Sequence, residues 1–508
     1  MALAAVSGVL LFASLPAPRA HPPLAWIALV PLLLALSGSS AVGGALLGLV
    51  AGLCFLAPLL RFVGMFGALP WLSLATAEAL FVAAFGAVVA NILRRRVPWA
   101  VVPALAAAWS AVEFLRGHAG AIALTLGDLG YSQATVPAVR QAASLGSHYG
   151  VGYLVALVNA ALAWFIVSRS AARTPWERRS GVTSLLAVAV LLGVVVLWGR
   201  ARCAAPPVGE PFVAAVMQGN FSADVDAEPD LASFYRQQSL TIYDRLTARA
   251  AADGAELVVW PETAVPVRLN RDTETEAAVG AIARRHDLWV VAGTFDGGRH
   301  GELYNSAWLF TPRGQAFGRY SKRRLVMFGE YVPFRKQFPW LERYPIRDFD
   351  FSAGHELLVL RAGPARLGPL ICYESLFPEL TREVVGEGAE VVVILTSDAW
   401  AERSRSELAQ HAACSVFRAV ESGRYVLRAA KTGVTWIVSP TGRVLDRVPL
   451  FIEGCAVARV AALQQRTPYQ RYGNWPLLLI WSISLMLPLL GRGTHEMPDG
   501  STPVARVA

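Results

Sequence analysis

The distribution of apolar residues along the chain constrains its fold more than any other feature of the sequence. Residues 1–200 are dominated by Ala, Leu, Val and Gly, whereas residues 205–465 have the mixed composition of a globular domain, and a further apolar segment covers 475–490. The whole chain is therefore 54% hydrophobic and only 16% charged. Since about 20 consecutive apolar residues can cross a bilayer as a helix, the sequence predicts a membrane protein that carries a water-soluble domain.

Eight apolar spans can be drawn, and the first two are short and interrupted by proline. The spans cover residues 2–16, 23–37, 41–60, 68–93, 99–116, 150–168, 183–199 and 474–491. They divide the chain into a transmembrane domain at 1–203 with about seven helices, a soluble domain at 204–466, and a C-terminal helix and tail at 467–508.

Arginine clusters in the short loops predict the orientation, because basic loops face the cytoplasm. The clusters are Arg94, Arg95 and Arg96 after the fourth span, and Arg169, Arg173, Arg178 and Arg179 after the sixth. An even number of spans precedes each cluster, so we expect a cytoplasmic N-terminus and a soluble domain outside, after the seventh span. The last span then returns the tail, with Arg492 and Arg506, to the cytoplasm.

The formal net charge of +9 does not indicate nucleic-acid binding. The arginines lie at the ends of apolar spans and through the soluble part, with no basic stripe interleaved with aromatic residues. The five cysteines, at positions 54, 203, 372, 414 and 455, include no CxxC pair. We therefore expect no metal site, no disulfide framework and no cofactor.

Glu113 and Arg116 are unusual charges in the membrane part, one helical turn apart at the end of the fifth span. Charges at such a position are costly unless they are paired or lie at an interface. They therefore form either a mutual salt bridge that holds helices together or a contact to a headgroup or substrate, and the sequence leaves both open.

From about Pro211 the sequence alternates short β-branched runs with polar helical stretches, which is typical of sheets covered by helices. We predict strands at 212–217, 256–260, 289–293, 366–371, 391–396, 425–429 and 435–439, with an edge region around 304–310 and 314–320. Helices are predicted at 231–252, 275–286, 376–386 and 407–422. In such an α/β layered domain, the chemistry gathers at the carboxyl ends of the strands.

Cys372 lies where an apolar run stops and polar residues begin, so the local prediction is a strand, a sharp turn and a helix. Pro378 suits the first turn of that helix. A thiol near a helix N-terminus meets unpaired N–H groups and a positive dipole end, which favour the thiolate. The alternative is that Cys372 is a small buried hydrophobic residue.

Two further strand ends carry charged residues: Glu262 follows Pro261, and Lys322 is followed eight positions later by Glu330. Taken alone, a loop carboxylate and a solvated basic turn are ordinary alternatives. Together with Cys372, however, they supply a nucleophile, a base and a cation for an oxyanion, which is what acyl transfer requires.

The segments Trp260-Pro261-Glu262, Tyr320-Ser321-Lys322 and Ile371-Cys372-Tyr373-Glu374 resemble the three catalytic motifs of the nitrilase superfamily, in order and spacing. Further segments resemble one membrane-bound family in it, the apolipoprotein N-acyltransferases. They are residues 218–220, 304–306 and 328–333, with 113–117 and 130–133 in the membrane part. The resemblance covers most of the chain and implies an αββα nitrilase-like sandwich outside the cytoplasm.

The resemblance also implies roles for individual residues. Cys372 is expected to be the nucleophile, Glu262 the general base and acid, and Lys322 the oxyanion stabiliser. The family's pattern gives supporting roles to a second set, namely Glu330, Tyr373 and Glu374.

The reaction implied by the resemblance moves an acyl chain from a membrane phospholipid, via a cysteine thioester, to the α-amine of the N-terminal diacylglyceryl-cysteine of apolipoproteins. The implied location is the bacterial inner membrane, with the catalytic domain periplasmic and the protein a monomer. A membrane-tethered amidase with water as acceptor, and a catalytically silent lipid- or lipoprotein-binding scaffold, are the alternatives.

The chain departs from the family's pattern at a few positions that we expect to support or line the pocket rather than react. They are Met327, Ser397, Ala401 and Lys431. A stretch rich in aromatic and basic residues, 334–351 with Trp340 at its centre, is expected to be either an arm that dips into the membrane interface or an ordinary packed loop.

Overall fold

The computed structural model describes residues 1–18, 21–95, 97–172, 174–221, 229–332, 337, 350–399 and 404–490. Its N-terminal part is a bundle of helices built from the predicted apolar spans. The helices are α1 (Ala2–Ser14), α2 (Val30–Leu36), α3 (Ala41–Leu59), α4 (Ala68–Arg95), α5 (Val101–Gly117), α6 (Pro137–Arg140), α7 (Ala143–Ser170) and α8 (Pro175–Ala204). Within the described residues, α3, α4, α7 and α8 are long and apolar enough to cross a membrane, and the other predicted spans coincide with shorter helices.

The outer surface of this bundle is apolar. On α8 the side chains of Leu186, Val190 and Leu197 are 61%, 67% and 67% exposed. Large apolar side chains exposed to this degree are unfavourable in water, whereas lipid tails solvate them readily. The predicted membrane part is thus confirmed by its surface as well as by its helices.

Glycines allow α3 and α4 to pack backbone against backbone. A Cβ added at Gly48 would lie 2.3 Å from the carbonyl oxygen of Val82, and one added at Gly86 would lie 2.1 Å from that of Gly44. A side chain at either position would therefore push the helices apart. Close contact between small residues is a typical interface for membrane helices, where dispersion contacts rather than water exclusion drive association.

The soluble part consists of two six-stranded sheets with helices on their outer faces. The strands are β1 (Glu210–Gln218), β2 (Leu257–Val259), β3 (Trp289–Gly297), β4 (Leu303–Phe310), β5 (Ala316–Ser321), β6 (Leu360–Arg361), β7 (Arg366–Ile371), β8 (Val391–Thr396), β9 (Tyr425–Ala430), β10 (Thr435–Val438), β11 (Val444–Val448) and β12 (Gly454–Ala462). The outer helices are α9 (Pro229–Ala252), α10 (Thr273–His286), α11 (Pro378–Gly386) and α12 (Arg405–Ser422). The sheet orders are β12-β1-β2-β3-β4-β5 and β11-β10-β9-β8-β7-β6.

The residues of β8 show why the layers form. Val393 and Leu395 belong to the cluster buried between the two sheets, whereas Val392 and Ile394 pack against α11 and α12. Both faces of the strand are buried, so its sequence is continuously apolar rather than alternating. The first sheet is covered by α9 and α10 in the same way. The predicted αββα sandwich is confirmed.

Most predicted elements of this domain are confirmed to within a few residues, and β7 and β8 coincide with the predicted strands. The sequence pattern does not predict β6, β11 and β12. The predicted helix 376–386 is in fact two elements, a 3-10 helix at Cys372–Leu376 and then α11, which has Pro378 in its first turn.

After β12 the chain returns to the bundle through α13 (Pro468–Tyr472) and α14 (Trp475–Leu490). Trp481 of α14 packs edge-on against Phe114 of α5, with ring centroids 5.8 Å apart. The soluble part contacts the bundle through α12 and the segment after β7, because Phe377 and Phe417 share a buried cluster with Tyr131. The strand end that carries Cys372 therefore lies against the membrane part.

Candidate active site

The structure brings the three predicted reacting residues together. Glu262 follows β2, Lys322 is the first residue after β5, and Cys372 is the first residue after β7. The Nζ atom of Lys322 lies 3.8 Å from Glu262 Oε1 and 2.8 Å from Glu330 Oε1, and the ammonium is almost fully buried. The Cys372 thiol is close enough to the Glu262 carboxyl and to the Lys322 ammonium to affect the pKa of both. One site therefore contains a thiol, two carboxyls and an ammonium.

The register of β4 and β5 positions the lysine. Ser306 pairs with Ser321, and the backbone N–H of Lys322 donates to the carbonyl of Asn305 at 2.8 Å. The Asn305 side chain donates from Nδ2 to Glu262 Oε1 at 2.7 Å, and the same nitrogen lies 3.3 Å from an oxygen of Glu330. A single amide therefore orients both carboxyls around the ammonium.

A glycine on the neighbouring strand β3 makes room for the loop that carries Glu262. A Cβ added at Gly293 would lie 2.1 Å from the carbonyl oxygen of Pro261 and 2.8 Å from the Cα of Glu262. The loop therefore passes in direct contact with the β3 backbone, and this contact fixes where the carboxyl points.

Burial and charge act against each other in the ionisation of this cluster. Burial, together with the charge of Glu330, raises the pKa of Glu262 above its usual value, although Lys322, Asn305 and the Cys372 thiol oppose the shift. Burial by itself would lower the pKa of Lys322, but the Glu330 and Glu262 carboxylates outweigh it and raise the pKa. Lys322 thus remains a cation at neutral pH, and Glu262 is a stronger base than an exposed carboxylate.

Cys372 has a left-handed backbone conformation, with φ of +53°, where β7 turns into the 3-10 helix. Burial, followed by the charge of Glu262, raises the pKa of its thiol to about 12, against the opposing effects of Lys322 and Thr396. The expectation that the helix N-terminus favours a thiolate is therefore wrong. A five-residue 3-10 helix has only a small dipole, and the desolvation of the sulfur is the larger effect.

Glu374 links the two strand ends that carry the lysine and the cysteine. Its Oε1 accepts hydrogen bonds from the Tyr320 hydroxyl at 2.8 Å and from the backbone N–H groups of Arg323 at 2.7 Å and Arg324 at 3.2 Å. Its Oε2 accepts from the N–H of Ile371 at 2.7 Å. Glu374 is fully buried, so it sets the distance between β5 and β7 rather than facing a substrate.

Tyr373 lies at the junction with the membrane part. Its hydroxyl donates to the carbonyl of Ala123, which follows α5, and its ring packs edge-on against Phe377 at 4.9 Å. Burial raises the pKa of this hydroxyl to about 12, which keeps it a donor. Tyr373 therefore ties the nucleophile segment to the bundle.

A buried acid–histidine–arginine cluster behind Cys372 is not predicted by the sequence analysis. Asp398 accepts from Arg428 at 3.0 and 3.1 Å and lies 3.1 Å from His411 Nδ1, while His411 Nε2 lies 3.1 Å from Ser375 Oγ and 3.4 Å from the carbonyl oxygen of Cys372. The histidine thus contacts the backbone of the turn. The sequence does carry a signal for this cluster, because Asp398, His411 and Arg428 are ionisable residues that interrupt otherwise apolar runs.

Several sequence expectations concern positions around this core. Ser397 follows β8, Met327 forms a bridge with Tyr331, and the Lys431 ammonium lies 5.1 Å from the centre of the Phe221 ring. Ala401, Arg96, Arg173, Arg492 and Arg506, and the proposed arm with Trp340, lie outside the described residues apart from positions 337, 350 and 351 of the arm. Among the described residues, no group of three His, Cys, Asp or Glu side chains is placed to hold a metal ion.

The mutual salt bridge suggested for Glu113 and Arg116 is wrong. Arg116 instead pairs with Glu78 of α4 at 2.7 Å and with Asp128 at 3.1 Å. Glu113 accepts from the Trp109 indole at 2.8 Å and from the backbone N–H of Leu129 at 2.6 Å. Both side chains are buried, and their contacts fasten the loop after α5 to the bundle.

Comparison with known proteins first defines the class. A family model for carbon-nitrogen hydrolases matches residues 214–469, and a model of the apolipoprotein N-acyltransferase N-terminal domain matches residues 7–161. The soluble part is thus a nitrilase-superfamily domain carried by a membrane bundle. A solved structure of a mutant Nesterenkonia AN1 amidase from the nitrilase superfamily covers 55% of this chain and 99% of its own, with 21% identity and a TM-score of 0.40.

Curated relatives then define the particular family. The apolipoprotein N-acyltransferase of Geobacter metallireducens is 34% identical over 485 residues, which cover 93% of this chain and 91% of that protein. The protein of the same name from Pseudomonas paraeruginosa is 31% identical over 67% of each chain. The chain belongs to the apolipoprotein N-acyltransferase family, and it is a membrane acyltransferase, as its motifs predict.

Proposed function

We propose that this acyltransferase moves an acyl chain from a membrane phospholipid, through a thioester on Cys372, to the α-amine of the diacylglyceryl-cysteine at the N-terminus of apolipoproteins. The observation that carries the proposal is the meeting of Cys372, Glu262 and Lys322 in one buried cluster beside the membrane helices. Membership of the family supports the same reaction.

The first half-reaction follows from the charges of the site. Because the thiol is protonated at neutral pH, the Glu262 carboxylate takes its proton as the sulfur attacks the ester carbonyl. The Lys322 ammonium and the backbone N–H that follows the nucleophile stabilise the oxyanion. When the intermediate collapses, the ester C–O bond breaks and Glu262 returns its proton to the leaving alkoxide, which yields a thioester and a lysophospholipid.

The second half-reaction uses the same groups in the other direction. The neutral α-amine of the lipoprotein attacks the thioester carbonyl, and Glu262 accepts the proton that the amine loses. The C–S bond then breaks, the sulfur takes a proton from Glu262, and an amide is formed. Lys322 again stabilises the oxyanion, and the free thiol is restored.

Supporting roles fall to the residues that hold these groups. Glu330 keeps the lysine charged and oriented through its 2.8 Å contact. Glu374 fixes the spacing of the two strand ends, and Tyr373 attaches the nucleophile segment to the membrane part. None of the three needs to touch the reacting carbonyl in order to act.

We infer that the protein is a multi-pass inner-membrane monomer with its catalytic domain in the periplasm. Arg169 at the end of α7 and Arg178 near the start of α8 lie at one end of that helix pair, whereas the catalytic domain follows the other end of α8. Basic residues favour the cytoplasmic side, which supports a domain on the opposite side. Both substrates are anchored in the bilayer, so a catalytic domain at its surface avoids moving acyl chains through water.

Thioester formation tests the proposal. Full-length protein in detergent micelles is incubated with phospholipid that carries a labelled acyl chain, and we expect hydroxylamine-labile label on Cys372. Cys372→Ala should lose the label, whereas Cys414→Ala, which alters another fully buried thiol, should keep it. Addition of a diacylglyceryl lipopeptide should then move the label into an amide.

Two outcomes would contradict the proposal. Label that persists in Cys372→Ala would exclude the nucleophile. Release of free fatty acid with no acylated lipopeptide would indicate water as acceptor, and therefore a tethered amidase.

A further inference from the structure

A cavity of about 460 Å³ lies where the membrane part meets the catalytic domain. Gly120 and Ala121, from the loop after α5, form one side, and Arg323, Arg324 and Tyr373 form part of the other. Tyr373 directly follows Cys372, and Arg323 directly follows Lys322, so the wall of the cavity contains the sequence neighbours of two of the predicted reacting residues. Its volume is in the range of pockets that hold small organic ligands.

The two arginines in the wall of the cavity are adjacent in sequence but differ in their partners. The Arg323 guanidinium pairs with Glu383 at 2.8 Å. The Arg324 guanidinium lies over the Phe377 ring, 3.4 Å from its centroid, and within the described residues no carboxylate forms an ion pair with it. The side chain of Arg324 therefore presents to the cavity a cation that no carboxylate of the described residues neutralises.

The surroundings keep this cation in place and leave its charge available. The backbone N–H of Arg324 donates to Glu374 at 3.2 Å, which fixes the main chain. Glu379, on the first turn of α11, is engaged by His118 at 3.4 Å and by Asn474 at 3.0 Å. The Phe377 ring contacts the guanidinium by a cation–π interaction. In the part of the chain that the structure describes, the guanidinium N–H groups have no hydrogen-bond acceptor, so they can bind a ligand.

We propose that Arg324 binds the phosphate of the phospholipid donor and thereby places the acyl ester beside Cys372. The inference rests on the proposed function and adds the group by which the donor is recognised. A guanidinium offers two parallel N–H donors that match two phosphate oxygens, and the pair is strong where water is scarce. In a glycerophospholipid the phosphate and the esters share one glycerol, so a phosphate site must lie near the nucleophile, as this cavity does.

The test compares donors with and without a phosphate in full-length protein in mixed micelles. Labelling of Cys372 is measured with phosphatidylglycerol and with diacylglycerol that carries the same acyl chains. Arg324→Gln should lower kcat/KM for phosphatidylglycerol by about tenfold or more, which corresponds to the loss of a charge-assisted hydrogen bond. The same variant should leave diacylglycerol turnover within about twofold, and Arg324→Lys should retain part of the phosphatidylglycerol activity.

Arg319→Gln is the control, because it removes an arginine charge that lies outside the cavity and pairs with Asp296 at 3.7 Å. It should change neither donor by more than about twofold. An equal loss for both donors in Arg324→Gln would indicate a structural role, and no loss for either would exclude the phosphate contact. Either result overturns the inference.

A final arm separates lipid phosphate from soluble phosphate. Inorganic phosphate is added to wild-type protein with each of the two donors. Inhibition of labelling that leaves the preference for phosphatidylglycerol over diacylglycerol unchanged would assign Arg324 to a soluble anion and would overturn the inference. The proposed function fails separately, if wild-type protein forms no thioester with any donor.

Discussion

Glu330→Gln is the change that tests the electrostatics of the site most directly. Glu330 accepts a 2.8 Å hydrogen bond from the Lys322 ammonium, and its other oxygen accepts from the backbone N–H of Val326 at 2.8 Å. Glutamine keeps the shape of the side chain but removes the charge. A hydrogen bond between charged groups contributes about 1.5–3 kcal/mol, so we expect kcat/KM for thioester formation to fall by roughly 10- to 100-fold.

The same change should move the pH dependence in a defined direction. The charge of Glu330 raises the pKa of Glu262, after the larger effect of burial, so its removal lowers that pKa. Glu262 acts as a base only when it is deprotonated, and the rate therefore falls as the pH drops through its pKa. In Glu330→Gln this acid limb, the low-pH fall in kcat/KM, should lie at lower pH than in the wild type. The difference in kcat/KM between the variant and the wild type should therefore shrink as the pH decreases.

The assay is the initial rate of Cys372 labelling across the acid limb, at donor concentrations well below KM. Glu390→Gln is the control, because Glu390 pairs with Arg366 at 3.2 Å, on a strand end away from the site, and it should leave the limb in place. An acid limb that stays fixed, or moves to higher pH, in folded Glu330→Gln would refute the assignment of Glu262 as the base.

Three further changes have outcomes that the packing predicts. Gly293→Ala would place a Cβ 2.1 Å from the carbonyl oxygen of Pro261, so activity should fall at least tenfold and stability by about 1–3 kcal/mol. Gly386→Ala is the control, because its added Cβ meets nothing within 4 Å, and it should change neither activity nor stability. Arg418→Met would leave a buried carboxylate without its cation, which should destabilise the protein by about 3–5 kcal/mol in thermal unfolding in detergent. Gly86→Ala would separate two membrane helices and should lower the unfolding temperature while the acid limb of the remaining folded enzyme stays unchanged.

Each of these has an outcome that would contradict it. Full activity in Gly293→Ala would mean that the Glu262 loop can move without loss. Wild-type stability in Arg418→Met would mean that the buried Glu421 carboxyl does not depend on the Arg418 cation. Wild-type stability in Gly86→Ala would mean that the helix pair tolerates separation.

Local patterns suggest the candidate site residues because each of them lies at, or within three residues of, the end of a strand. β7 and β8 are buried on both faces, so their limits are visible as continuous apolar runs, and Cys372 is visible as the point where such a run ends. The membrane helices are equally visible from composition. β11 is missed because it is short and partly exposed, and β12 is missed because it consists largely of small residues, with four alanines and a glycine.

Interactions between distant segments could not be predicted in this way. The sequence offers Glu113 as the partner of Arg116 because the two are one turn apart, yet Arg116 pairs with Glu78 and Asp128. The raised pKa of the Cys372 thiol has the same origin, since its leading cause is burial by segments far away in the chain. Local helix position predicts the opposite direction, because it does not include the desolvation of the sulfur.

The contacts between the two parts of the molecule hold the turn that begins at Cys372. The carbonyl oxygen of Leu376, four residues after the nucleophile, accepts from Thr125 of the membrane part at 2.9 Å and from Arg418 of α12 at 2.8 Å. The same Arg418 side chain contacts the Tyr131 hydroxyl at 3.3 Å and His148 at 3.3 Å. The turn that begins at Cys372, with its left-handed backbone, is thus held from both sides. Of these four contacts, the three made by Thr125, Tyr131 and His148 cross between the two parts. We therefore expect a nitrilase-like domain separated from its bundle to hold the turn at Cys372 less firmly beside Lys322 and Glu262.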